Sequence, residues 1–274
     1  MERIEATIET SMFEDVLCVR MSRVLDGKPL YWVACYLVDG LLVDTGCSHT
    51  AHELVSFLED KEINAVVNTH FHEDHIGANS LLAKRRKVPA YAHPASIPLM
   101  EHGFHLYPYQ EVVWGIPEPC TALPVPDTIE TCRYRFSVIE TPGHSEGHIC
   151  LFEPEKGWCF TGDLFSRENP KFIRPEENVA DMVRSLRMID RLPSERLVLF
   201  TSLGRIVEDG RAAVANCIKY LEELSRKVHG LAGSGLDEQG IVERIFGGEH
   251  LFASLTDGQY TSLNLVRSIL KTAS

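Results

Sequence analysis

The sequence predicts an α/β protein, a four-layer αββα sandwich carrying a helical C-terminal extension. Three observations predict it: a β-rich N-terminal stretch, a second β-rich stretch over residues 134–161, and helical spacing both between and after them. Residues 1–207 are expected to form the sandwich and residues 208–274 the extension packed on it.

The first strands are expected at Arg3 to Glu9, Val16 to Val24, Tyr31 to Val38 and Leu41 to Val43, short runs heavy in Val, Ile, Leu and Tyr. Asp26-Gly27 and Asp39-Gly40 are turn dipeptides that would join them as hairpins. From Thr50 the apolar spacing at Leu54, Phe57 and Leu58 becomes helical, and Ile63 to Asn68 returns to strand character. A short helix after Gly77, a strand at Val88 to Ala92 and a short helix from Pro94 to Glu101 continue the alternation. Gly103 to Pro126 is rich in Pro, Tyr and Trp without periodicity and is expected to be a long irregular excursion. Strands follow at Tyr134 to Glu140, His148 to Phe152 and Trp158 to Thr161. Then come a helix over Met182 to Leu192 and a last buried strand at Arg196 to Phe200. Helices over Arg211 to Val228, Glu238 to Phe246 and Ser262 to Leu270 complete the chain, with Gly230 to Gly235 as a flexible break.

Composition narrows the function. A formal net charge of −12 gives an averaged field that repels phosphate backbones and anionic lipid, so neither nucleic acid nor membrane is an expected partner. The basic run Lys84 to Lys87 is expected to be a solvated helix end. Met1 to Thr10 has no basic region followed by an apolar one, and no stretch reaches the ~18 apolar residues of a membrane span. The eight cysteines show no C-x-x-C pair, which suits free buried thiols in a reducing cytoplasm.

The chemistry is concentrated in Asn68 to Gly77. His70, His72, Asp74 and His75 place three imidazoles and a carboxylate within six positions, directly after a buried strand. Residues i and i+2 of an extended strand end project to one side, so His70 and His72 can reach one ion. Asp74 and His75, where the chain turns, can face a second position. His144 in Thr141-Pro142-Gly143-His144 and Asp163 in Thr161-Gly162-Asp163 each follow a β-run and could converge on the same sandwich edge. A solvated turn is the plain alternative for the cluster.

These elements resemble the metallo-β-lactamase superfamily, in its glyoxalase II-like branch: H-x-H-x-D-H at His70 to His75, Thr-Pro-Gly-His at His144, Thr-Gly-Asp at Asp163, and Asp-Thr-Gly at Asp44 to Gly46. The resemblance runs in order from about residue 15 to residue 204. It implies His70, His72 and His144 on a first metal, Asp74 and His75 on a second, and Asp163 between them. Asp44 would accept a hydrogen bond from a ligand imidazole, and Asp74 would orient the nucleophile or shuttle its proton. The implied cofactor is a divalent metal, zinc first with iron or manganese next, one or two per chain. The implied chemistry is hydrolysis of a small-molecule thioester, lactone or other ester-like bond by water whose pKa the metal lowers from 15.7 to ~7.

One position departs from the pattern. The family's last ligand is a His about forty residues after the bridging Asp, and here Leu203 stands there, with no lone pair to offer. The second metal would keep three protein ligands, and His49, Ser202 or a residue of the aromatic excursion are candidates to replace the fourth. The departure keeps two other functions open: an oxidoreductase resembling the single-iron sulfur dioxygenases of the superfamily, and a metal-binding module without turnover. Tyr107, Tyr109 and Trp114 are expected to form either an aromatic rim over the metals or a packed cap. The C-terminal helices would cover the site, form a homodimer interface or serve as a structural cap.

Overall fold

The computed structural model describes residues 5–271, so Arg3 and Ile4 of the expected first strand lie outside the described residues. One sheet contains β1 (Glu5–Phe13), β2 (Val16–Leu25), β3 (Lys28–Pro29), β4 (Val33–Val38), β5 (Leu41–Val43), β6 (Ala65–Val67), β7 (Ala90–Ala92) and β8 (Leu123–Pro124). Its order is β1-β2-β4-β5-β6-β7-β8, with β3 also paired to β2. The second sheet contains β9 (Thr128–Glu130), β10 (Arg135–Glu140), β11 (Ile149–Glu153), β12 (Trp158–Gly162), β13 (Val198–Thr201) and β14 (Ile206–Val207), in the order β14-β13-β12-β11-β10-β9. The hairpins are antiparallel, and pairing turns parallel at β5-β6-β7-β8 and at β12-β13, where helices or long segments intervene.

The helices are α1 (Ala51–Phe57), α2 (Asn79–Arg86), α3 (Ile97–His102), α4 (Pro108–Val113), α5 (Val179–Asp190), α6 (Gly210–Gly233), α7 (Glu238–Phe246), α8 (Leu251–Leu255) and α9 (Ser262–Lys271). Strand alternation creates three apolar interfaces from the same strands. In the first sheet, Val19, Leu42 and Val66 face α1 and α2, where Leu54 and Leu82 are buried. Their neighbours Cys18, Leu41, Val43 and Val67 point the other way and meet Phe136, Leu151, Phe160 and Phe200 between the sheets. In the second sheet, Cys150, Phe152, Cys159 and Leu199 face α5, α6, α7 and α9. The layers are therefore α, β, β and α.

Two expectations are corrected. Gly103 to Pro126 is not wholly irregular: it holds α4 and the edge strand β8, and Trp114 is buried in the core beneath α1 and α2. Proline at the first position of α4 and the Gln110 side chain accepting from the Tyr107 N–H at 2.7 Å start that helix without an apolar stripe. Gly230 does not break α6, which runs on to Gly233; Leu231 and Ala232 pack against the second sheet's helical core and hold the turn. Helix α8 was not legible as a separate element. Among the described residues no helix is long and apolar enough to cross a membrane. Seven of the cysteines are free and buried, and Cys132 is free and exposed.

Candidate active site

The site lies at one edge of the sandwich, where loops after β6, β10 and β12 meet. His70 Nε2 and His144 Nε2 each lie 2.9 Å from His72 Nδ1, and His144 Nε2 lies 3.3 Å from Asp163 Oδ2. On the other side of Asp163, His75 Nε2 faces Asp163 Oδ1 at 3.6 Å and Asp74 Oδ2 at 3.8 Å. Two groups result, His70-His72-His144-Asp163 and Asp74-His75-Asp163, each with donor atoms within 4.8 Å of one another. Nitrogens bound at ~2.0–2.1 Å to a tetrahedral ion would lie about 3.3 Å apart, close to the spacing of the first group. His75 Nε2 and Asp74 Oδ1 are buried without a hydrogen-bond partner, which a polar interior does not ordinarily leave. The residues fit a pair of divalent cations.

Outward contacts fix which ring nitrogen His70, His75 and His144 turn inward, the proton positions being assigned from the hydrogen-bond network. The Thr69 hydroxyl donates to Asp44 Oδ2 at 2.9 Å and so accepts from His70 Nδ1 at 3.0 Å, leaving Nε2 for a ligand bond. His75 Nδ1 donates to Asp44 Oδ2 at 2.8 Å, and His144 Nδ1 faces Glu177 Oε2 at 3.2 Å. Asp44 thus accepts from the His75 imidazole, and its Oδ1 also accepts the Thr69 N–H at 2.8 Å.

Two glycines make the gathering possible. A Cβ on Gly77 would lie 2.1 Å from the Cys47 carbonyl carbon, so the end of the His-rich loop packs directly on the backbone that follows Asp44. A Cβ on Gly162, which has a φ of +47°, would collide with the His148 ring and the Thr69 side chain.

Electrostatics follow from burial and neighbours. Burial, then the adjoining imidazoles, holds His70 well below its usual range, and burial with the nearby Arg174 does the same for His72. Burial opposes the proton on His75 and His144, but carboxylates win: Asp44, Asp74 and Asp163 raise the first, Glu177 and Asp163 the second. Asp163 is driven well down despite burial, by His144 and His75. Burial pushes Asp74 up to about 6, against the pull of His75.

Leu203 lines the cleft beside Asp163, Ser202 and Asp74. His49 does not turn there: its Nε2 lies 2.8 Å from the Glu111 carbonyl and 3.4 Å from the Arg23 guanidinium, beside α4. Cys47 is buried among core residues. Trp114 is buried in the core and lines the cleft, whereas Tyr109 packs against that core with its ring 6.1 Å from Trp114 and does not line the cleft.

Several residues were missed from sequence. Glu177 orients His144 from the loop before α5. His148, pushed down to about 3 by burial and then by His144, accepts the Asp163 N–H at 3.2 Å and donates to Thr141 Oγ1 at 2.8 Å, pinning the Asp163 backbone. Glu73, inside the His-rich loop, is fully buried and accepts from Arg174 at 3.1 Å and Gln110 at 2.7 Å. Only Glu73 carried a signal, as a charged residue in a tract too crowded with function to be solvated.

Known proteins are similar to this chain in sequence and in fold. A hydroxyacylglutathione hydrolase of Thermosynechococcus vestitus is 33% identical over 137 residues, covering 50% of this chain and 48% of the relative, so this chain spans about half that protein's length. A metallo-beta-lactamase family protein from Thermus thermophilus superposes with a TM-score of 0.69 at 17% identity, over 96% of this chain and 94% of that one, a likeness of fold. A protein crystallised in a di-iron-bound form is 27% identical with a TM-score of 0.55, over 65% of this chain and 91% of that one. With residues 33–201, more than half of the chain, matching the family model described as the metallo-beta-lactamase superfamily, this protein belongs to that superfamily.

Proposed function

We propose that the protein is a metal-dependent hydrolase of ester-like bonds in small molecules, thioesters or lactones first, working with one or two divalent cations. The carrying observation is the shared carboxylate of Asp163, which stands between two groups of inward-turned donors whose other atoms are tied down by Thr69, Asp44 and Glu177. His70, His72 and His144 would hold the first cation, Asp74 and His75 the second, with Asp163 facing both. Divalent cations there supply Lewis-acid polarisation of the scissile carbonyl and acidify water near neutral pH.

The chain's own residues do the rest. Asp74, whose Oδ1 is buried without a partner and which lines the cleft, is placed to orient a water molecule or to pass on its proton. In the net reaction the water oxygen bonds to the carbonyl carbon, the carbon–sulfur or carbon–oxygen bond breaks, and the proton passes to the leaving group. Zinc is the first candidate, and the di-iron form of the 27% identical protein supports iron as the second.

Metal stoichiometry by elemental analysis, followed by a panel of thioesters, lactones and phosphodiesters, tests the proposal. Bound metal with hydrolysis is the expected result. A preparation that holds no metal after supplementation and turns over no panel member would overturn it. Leu203 in the cleft favours weaker binding at the second position. Iron alone, with oxygen uptake on a glutathione persulfide and no hydrolysis, would move the protein to the single-iron oxygenases instead.

A further inference from the structure

Beside the cleft lies a larger hollow of about 520 Å³, within the range of about 300–1,000 Å³ typical of small-molecule sites. Three separate parts of the chain wall it: Leu25 and Leu30 from the β2–β3 hairpin, Val112 and Val113 from α4, and Phe252 and Leu255 from α8. Tyr31, Trp114, Arg167, Phe172 and Tyr260 line both this chamber and the cleft that contains Asp74, His144 and Asp163. The two spaces therefore adjoin at four aromatic rings and one guanidinium, here termed the neck.

The chamber's chemistry is one-sided. Among the described residues Arg167 is the only charged side chain that lines it, and its guanidinium sits 5.8 Å from the Phe172 ring centre, in the neck rather than at the far wall. A polar or charged group placed deeper would lose water and find few partners. The outer wall leaves large apolar side chains open, Val112 at 48% and Leu255 at 61% exposure. Apolar surface gathered at the mouth of a cavity marks a binding site more often than scattered apolar residues do.

We propose that this chamber takes the aliphatic tail of the substrate, so that the protein acts on medium- to long-chain acyl esters or thioesters, with the reacting carbonyl at the metal cleft and the tail passing through the aromatic neck. The bond cleaved rests on the proposed hydrolytic function; the tail rests on the chamber alone. Short acyl groups and peptide-like tails leave the chamber unfilled and gain nothing from it.

Calorimetric titration with the carboxylates butanoate, hexanoate, octanoate and decanoate, on metal-loaded and on metal-free protein, separates the two. Affinity is expected to rise about two- to fourfold per added methylene in both forms. Leu255→Asp and Val112→Asp, at positions already open to solvent, each weaken decanoate binding tenfold or more. The ratio of kcat/KM for a decanoyl over an acetyl thioester falls with them. Met188→Asp, at an exposed position of α5 outside the chamber, leaves that ratio unchanged. Affinity that does not change with chain length overturns the proposal, whether or not the protein hydrolyses anything. Chain-length dependence without turnover upholds the chamber and sinks the hydrolytic function. Concentration-dependent dimers abolished by Leu255→Asp, with no chain-length dependence, would assign the face to a second copy and overturn the proposal.

Discussion

Asp44 has a φ of 61°, a left-handed conformation that non-glycine residues adopt at some cost, and its carboxylate accepts from the Thr69 N–H, the Thr69 hydroxyl and His75 Nδ1. Asp44→Asn would present an N–H₂ group where an acceptor is required and release the His75 ring. Affinity at the His75 position is expected to fall about 10- to 100-fold, measured by competition with a chromophoric chelator. Unchanged affinity would show that Asp44 serves only the turn. Protonation gives a second expectation at this scale. Against burial, neighbouring carboxylates raise His75 and His144 above the usual imidazole range, and burial raises Asp74 to about 6, so cations compete with protons there and bind more weakly as pH falls. Between pH 7.5 and 5.5 affinity should drop about tenfold per unit for each proton displaced, read by calorimetry in buffers of different ionisation enthalpy. Leu203→His restores a donor beside Asp163 and should raise second-metal occupancy, read by elemental analysis. The residues themselves were partly legible: the loop from His70 to His75 declares itself by density, whereas His144 and Asp163 stood out through their motifs. Glu177 and His148 did not, because a single Glu or His carries no local pattern and gains its partner only from the fold.

Helix α5 shows how an element positions chemistry. Asn178 caps it by accepting from the Ala180 and Asp181 N–H groups, while its own N–H donates to the Gly143 carbonyl at 2.7 Å, one residue before His144. The cap therefore sets both the helix start and the seat of Glu177. Asn178→Ala is expected to lower stability by about 1 kcal/mol in urea denaturation and to weaken metal binding at His144 as well. A stability loss with unaltered metal affinity would confine the cap to folding. Element types were legible wherever the apolar period was clean, as in α5, α7 and the strands between the sheets. The stretch that became α4 and β8 was not, since its helix is only six residues long and owes its place to Trp114 in the core and Gln110 on Glu73.

Across the whole molecule, Arg174 joins regions far apart in sequence. It donates to Glu73 in the His-rich loop and to the Tyr260 hydroxyl, at 3.1 and 3.2 Å; Arg174 and Glu73 are buried and Tyr260 is half-buried. Arg174→Met alone leaves a buried carboxylate uncompensated and should cost about 3–5 kcal/mol, whereas the double variant Glu73→Leu with Arg174→Met should lose much less. A double-mutant cycle by chemical denaturation checks this, and additive losses would deny the coupling. No period or motif announces such a pair, because it exists only between segments that the fold brings together.

Tyr260 and helix α8 also have a temporal meaning. A chain synthesised from its N-terminus presents all six donor residues by Asp163, but Phe252, Leu255 and Tyr260 follow roughly 5 to 20 s later at ordinary ribosomal rates. All six donors are thus on the growing chain before the oily wall that Phe252 and Leu255 supply, although the second sheet is covered only when α6, α7 and α9 have followed.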